Sequence, residues 1–301
     1  MMDSLRWNSW RPLTLSSPIP AATLPEQLDG GQAFRWRLSD NHEWLGVIGQ
    51  AVVRLRFRET QLEWCSSDSS VAFAKRMGDY FDDSGMQVQL IDQLPWRSDV
   101  VLSQAIRSYP GLRILRQDPH ETLIGFLCSS NKRIQQIRMM VSYLAQNLGE
   151  LIAEDYYALP SWSAIASASA AQLKSCALGY RAKFLQGTAL KLKDRPDWEK
   201  EFSSLPTSQL LEALQTLPGV GPKVAACVAL FGFGRWESFP VDTWIIQVLT
   251  QAYGLQGYSA KQLEKFGQAH FGAAAGIAQQ YLFASARGGQ LAVRLGKNEK
   301  L

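Results

Sequence analysis

The sequence predicts an α+β protein, with an antiparallel β-sheet and accompanying helices over residues 1–100 and a mostly α-helical body over residues 101–301. Three observations carry that division. In EWLGVIGQAVVRLRFRETQLEW, from Glu43 to Trp64, the apolar Val53, Leu55 and Phe57 alternate with Arg54, Arg56 and Arg58 between turn residues, which is the period of strands with one solvated face. Beyond about Leu94 the apolar spacing becomes helical, with Ile134, Ile137, Val141, Leu144 and Leu148 on one stripe and Leu210, Leu211, Leu214 and Leu217 on another. Between about 208 and 231, finally, two helices are separated only by the turn PGVG. Thr207 is placed to cap the first of these. Pro222 suits the first position of the second, because its missing donor is not needed there. Two further helices follow, Trp244 to Tyr253 and Ala273 to Ala286, the latter rich in small residues that permit close packing.

Composition limits the function classes. A chain of 301 residues that is 46% hydrophobic suits a folded, two-domain protein and excludes a disordered one. A net charge of +4 and a pI near 8.8 permit a nucleic-acid partner without demanding one, since charge alone argues for such a partner only from about pI 9. Cys65, Cys128, Cys176 and Cys227 form no CxxC pair or cluster-binding run, so a reduced protein without a cysteine-bound metal is expected. His42, His120 and His270 have no ligand spacing. No metal and no cofactor is expected, although the turn carbonyls leave room for a structural cation. The first twenty residues lack a signal-peptide apolar core, and no run approaches the ~18 apolar residues of a membrane span. The expectation is a soluble, intracellular monomer, with the basic end RLGKNEKL as a solvated tail.

LPGVGPKVAACVALFGFGRWESFPVD, from Leu217 to Asp242, carries the chemistry. Its turn aims consecutive backbone donors outward at a helix start, which binds a phosphate without any side chain, so Gly219 and Gly221 are candidate phosphate contacts. Lys223 lies in the first turn of the second helix, where the macrodipole disfavours a cation by roughly 0.3–1 kcal/mol. That position is intelligible if the amine works in its neutral form or beside a phosphate. Cys227 is four residues on and shares a helix face with it, while Val224, Val228 and Phe231 form the expected core face. Asp242, 19 residues beyond Lys223, follows the break at Pro240 and can cap the next helix. A neutral amine in a desolvated pocket can attack an electrophilic sugar carbon and form a Schiff base. A lysine in a first turn is ordinarily solvated, and an aspartate before a helix is ordinarily only a cap. Their conjunction is the specific signal.

LPGVGPKVA followed at this distance by PVD resembles the helix-hairpin-helix DNA glycosylases, in the branch with a catalytic lysine, and within it the 8-oxoguanine DNA glycosylase family. GGQAFRW (Gly30 to Trp36), LRQDP (Leu115 to Pro119), FLCSSN (Phe126 to Asn131), LGYRAKF (Leu178 to Phe184) and AQQYLF (Ala278 to Phe283) follow in the family's order, so the likeness spans about residues 20–290. The body should then hold a helix-hairpin-helix motif at about 208–231. The resemblance implies a base-excision-repair glycosylase and AP lyase that acts on double-stranded DNA containing an oxidised purine, in a nucleus or a bacterial cytoplasm. A related enzyme for an alkylated purine or an oxidised pyrimidine, or a non-catalytic DNA-binding module, stays open beside it.

By that resemblance Lys223 attacks C1′ and Asp242 stabilises the developing oxocarbenium charge. Cys227 and Phe283 sandwich the everted base, the Gly31 carbonyl meets the N7 hydrogen of 8-oxoguanine, and Gln279 addresses its Watson–Crick edge. Asn131 and Arg181 face the orphaned cytosine, Tyr180 wedges the opened strand, and Lys132 and Arg133 add phosphate contacts. Three positions depart from the family pattern. Lys132 and Arg133 stand where further asparagines are common, Gln136 where an arginine often reads the orphaned base, and Trp244 where a phosphate-contacting histidine is common.

Overall fold

The computed structural model describes residues 6–293, and the protein is α+β. Five strands, β1 (Arg11–Pro12), β2 (Arg37–Leu38), β3 (Trp44–Ile48), β4 (Ala51–Arg58) and β5 (Gln61–Ser66), form an antiparallel sheet in the order β1-β5-β4-β3-β2. The alternation in β4 sets its register, with Leu55 opposite both Trp44 and Trp64. Val53 and Leu55 are buried in a small core with α1 (Leu24–Asp29) and α2 (Val71–Tyr80). The arginine face is not bare, which corrects the expectation of a fully solvated side. The chain before β1 lays Trp10 3.9 Å from the Arg56 guanidinium and Trp7 4.9 Å from that of Arg54. These arginines also pair with Glu63 and Glu43, so the strap covers charges that are already neutralised.

After α3 (Met86–Gln93) and α4 (Val100–Ser108) come α5 (Pro119–Leu127) and α6 (Ile134–Leu148). A two-stranded hairpin, β6 (Leu151–Ala153) and β7 (Tyr156–Tyr157), interrupts the helices. The remainder is α7 (Trp162–Ser167), α8 (Ala170–Ser175), α9 (Arg181–Leu192), α10 (Trp198–Ser203), α11 (Thr207–Gln215), α12 (Pro222–Phe231), α13 (Thr243–Gln251), α14 (Ala260–Phe271) and α15 (Ala275–Arg287). One large apolar core joins these helices and takes in Phe34 from the N-terminal segment, while Leu115 reciprocally enters the sheet core. The α6 stripe falls as expected, with Ile137, Val141 and Leu144 buried and Ile134 left at the edge.

Two local expectations are overturned. Thr207 does not cap α11; Pro206 holds the cap position, and the Thr207 hydroxyl donates instead to Glu237. Nor does α12 present a single core face, because every residue from Val224 to Phe231 is buried. A helix apolar all round belongs inside a core, and only its first turn reaches the surface. The basic end, residues 294–301, lies outside the described residues.

Candidate active site

The turn between α11 and α12 is built by two glycines with different duties. Gly219 has φ +81°, and a Cβ there would stand 2.5 Å from Cβ of Phe184, so both conformation and packing require glycine. Gly221 caps α12 in an extended conformation with open space where a side chain would project. Among the described residues the amides of Gly219 and Gly221 donate to no protein group, so this exposed corner offers free donors at a positive helix pole.

Lys223, half-buried in the first turn of α12, extends inward, and its Nζ lies 5.2 Å from the centroid of the Phe126 ring. That ring stacks on Phe231 and meets Phe34 edge-on, so the amine rests on an aromatic floor. It also reaches the Cys227 sulfur one turn later. Burial pushes the Cys227 thiol up to about 11, while the Lys223 charge draws it back. The two residues therefore share the expected face, although Cys227 is almost wholly enclosed.

Asp242 is the N-cap of α13, and its Oδ1 accepts from the Ile245 amide at 2.9 Å. Burial holds its carboxyl above the ordinary carboxylate range, against the opposing pull of Lys223 and of the helix-start amides. No ion pair within 4.0 Å joins Lys223 to Asp242. The carboxylate and the amine act on each other through space.

Gly31, with φ +106°, follows the C-terminal end of α1. A Cβ built on it would fall 3.8 Å from Cε1 of Phe283 and 2.8 Å from Cδ1 of Ile134, so α15 and the start of α6 meet at this loop. Gln279 lies one turn before Phe283 on α15, is 4% exposed, and has a buried Oε1 with no hydrogen-bond partner. An unpartnered buried carbonyl is costly unless a ligand fills it, by about 1–3 kcal/mol. Phe34, three residues beyond Gly31, meets the aromatic floor under Lys223 edge-on.

Sequence reasoning overlooked Gln32. It is fully buried, donates from Nε2 to the Arg113 carbonyl at 2.9 Å and accepts from the Leu115 amide at 2.8 Å, while its carbonyl accepts from Gln117. It thereby moors the Gly31 loop to the segment containing LRQDP. A glutamine beside two glycines was the available signal. Ile134 was likewise read only as a core residue.

The remaining candidates form a continuous edge next to the hairpin. Asn131 is exposed with φ +51°, a conformation asparagine tolerates, and Lys132 and Arg133 follow it onto the start of α6. The Gln136 carbonyl accepts from the Arg133 amide at 3.2 Å, so that side chain is engaged in helix capping. Tyr180 is 52% exposed, whereas Arg181 is 4% exposed, lies under the Tyr180 ring at 4.4 Å and donates to the Ser130 carbonyl. Tyr180 also meets Phe184, the residue behind Gly219. Trp244 stands half-buried in the first turn of α13. A cavity of about 610 Å³ lies elsewhere, between the edge of the sheet and α6, and touches neither Lys223 nor Asp242.

Known proteins resemble this chain in both sequence and fold. Residues 15–123 match the family model for the 8-oxoguanine DNA glycosylase N-terminal domain. The Arabidopsis thaliana protein named N-glycosylase/DNA lyase OGG1 is 33% identical over 252 residues, which is 80% of this chain and 68% of that one. The N-glycosylase/DNA lyase of Saccharomyces cerevisiae is 32% identical, covering 76% of this chain and 68% of its own. Among solved structures, the Clostridium acetobutylicum 8-oxoguanine glycosylase/lyase, bound to duplex DNA with cytosine opposite 8-oxoguanine, superposes with a TM-score of 0.82 at 30% identity over 89% of this chain and 92% of that one. With a relative matched at this identity over more than two thirds of its length, the chain belongs to the 8-oxoguanine DNA glycosylase family.

Proposed function

We propose that the protein removes 8-oxoguanine from duplex DNA, opposite cytosine, and then cuts the strand through a Schiff base on Lys223. The observation that carries this reading is an amine resting on the Phe126 ring, against the Cys227 sulfur and in the field of the buried Asp242 carboxylate. The neutral amine forms a bond to C1′ as the C1′–N9 bond breaks and its electron pair leaves with the base. Positive charge grows on the sugar in that step, and a fixed anion in a dry site stabilises it strongly. Loss of a proton from nitrogen and opening of the sugar at O4′ give the iminium. Removal of a C2′ proton then expels the 3′ phosphate.

Eversion of the base costs a few kcal/mol, which stacking and edge contacts offset. In this reading Phe283 and Cys227 flank the base, and the Gly31 carbonyl accepts the N7 hydrogen that guanine lacks. The unpartnered Oε1 of Gln279 supports its role as reader of the donors on the Watson–Crick edge. Tyr180 fills the gap left in the stack, Asn131 meets the orphaned cytosine, and Arg181 serves that contact by holding the Ser130 carbonyl. The free Gly219 and Gly221 amides take a phosphate, with Lys132 and Arg133 alongside. The setting is wherever the cell keeps its DNA, a nucleus or a nucleoid.

Borohydride trapping on an 8-oxoguanine:cytosine duplex tests the reading. The expected result is a covalent adduct that needs both the lesion and Lys223, and that Lys223→Gln abolishes while duplex binding persists. Trapping that survives in Lys223→Gln, or that occurs equally on undamaged DNA, would overturn it.

A further inference from the structure

Helix α1 leads directly into the Gly31 loop, and its two carboxylates bind two different helices. Asp29, its last residue, accepts from Nη1 of Arg138 through both oxygens, each at 2.7 Å. Arg138 lies on α6, one turn beyond Ile134, the residue against Gly31. Glu26, one turn earlier on α1 and 8% exposed, accepts from Nη2 of Arg287. Arg287 ends α15 one turn after Phe283, with its guanidinium 5.9 Å from the Phe283 ring. The loop between these anchors is held at Gly30, whose amide donates to the Glu26 carbonyl.

We propose that the Asp29–Arg138 and Glu26–Arg287 pairs are positioning residues that clamp the Gly31 loop between α6 and α15, and so set the distance across the lesion pocket between the Gly31 carbonyl and the Gln279–Phe283 wall. This rests on the excision activity proposed above. Neither pair touches the base or the sugar. Their effect passes through backbone placement, for which displacement by about 1 Å costs on the order of a hundredfold in rate. The clamp also ties the pocket to α6, whose start carries the opposite-strand residues, so a shift of α6 is transmitted to the base-reading carbonyl.

The clamp acts on recognition of the base and leaves attack on an already baseless sugar alone, which separates it from a merely structural role. Removing one member would leave its half-buried or, at Glu26, buried partner without a counter-charge, so neutral pairs are the better probes: Asp29→Asn with Arg138→Gln, and Glu26→Gln with Arg287→Gln. Single-turnover excision of 8-oxoguanine should fall at least about tenfold in each, while borohydride trapping on an abasic-site duplex stays within about twofold of the parent protein. Arg138→Lys should restore excision, because a single nitrogen makes both contacts to Asp29. Unchanged excision in the neutral pairs would overturn the clamp, as would an equal loss of excision and of abasic-site trapping. A parent protein that traps abasic sites but leaves 8-oxoguanine untouched would overturn the functional reading, and the clamp with it.

Discussion

Asp242 performs two jobs with one carboxylate, and they can be separated. It caps α13 through the Ile245 amide, and its charge acts on the Lys223 amine that we propose as the nucleophile. Asparagine keeps the cap, since the two residues are nearly equivalent there, but lacks the charge. Asp242→Asn should therefore melt within about 1 kcal/mol of the parent yet excise on the order of a hundredfold more slowly. Burial raises the carboxyl above its ordinary value of 3.8. The acid limb of the excision profile should accordingly lie above that pH, with rate lost as pH falls and Asp242 takes up a proton, and that limb should vanish in Asp242→Asn. Rates measured from pH 4 to 8 for both proteins check this. Such a residue was readable in the sequence because Pro240 and the apolar run after it fix a cap position. Gln279 was readable only through the family, for nothing in a glutamine's spacing announces that its carbonyl will be buried without a partner.

The hairpin between α11 and α12 shows which glycines are set by the chain itself and which are left open to a ligand. Gly219→Ala meets both a left-handed backbone and the Phe184 Cβ at 2.5 Å, and should destabilise the protein by on the order of 1–3 kcal/mol. Gly221→Ala meets nothing within 4 Å and has an ordinary backbone, so its melting temperature should hold. Its methyl group would occupy the space through which a phosphate approaches the free amides, and duplex affinity should fall by several-fold, on the order of 1 kcal/mol. Thermal melting and equilibrium duplex binding of the two variants distinguish these outcomes. Equal affinities for Gly221→Ala and the parent would remove the hairpin from the DNA interface. Elements were legible to the extent that their pattern is periodic: the β4 alternation and the α6 stripe fall where they were read. Thr207 was misread because a hydroxyl at a helix start is ordinarily a cap, whereas here Glu237, 30 residues away, claims it. The tryptophan strap over β4 was invisible for a similar reason, since strand periodicity says which face is polar but not what distant segment lies across it.

At the scale of the whole molecule, the sheet core and the helical core meet along a seam that carries more buried charge than a two-domain pattern in the sequence would suggest. Glu121, on α5, is pushed up to about 7 by burial, against the opposing influence of Arg35 from the N-terminal segment and Arg76 from α2, with Asp118 adding to the rise. Glu199, on α10, reaches about 7 for the same leading reason. A carboxyl whose folded pKa exceeds its ordinary 4.5 favours the native state most when protonated, so this contribution is fully present below about pH 4.5 and is lost as pH rises to about 7. Glu121→Gln fixes the side chain in its neutral form. The variant should match the parent's melting temperature near pH 5, before most of that loss, and exceed it at pH 8. At this chain length each kcal/mol of difference corresponds to about 2–4 °C. The gap should open between pH 4.5 and about 7 and then stay constant, a curve that scanning calorimetry across that range resolves. A gap of the same size at every pH would mean that Glu121 stays ionised throughout and pairs with Arg35 as an ordinary salt bridge. In that case the seam is held by charge attraction, and the pH sensitivity of the fold comes from other carboxyls that burial raises, Glu26, Glu199, Asp29, Asp242 and Glu264 among them.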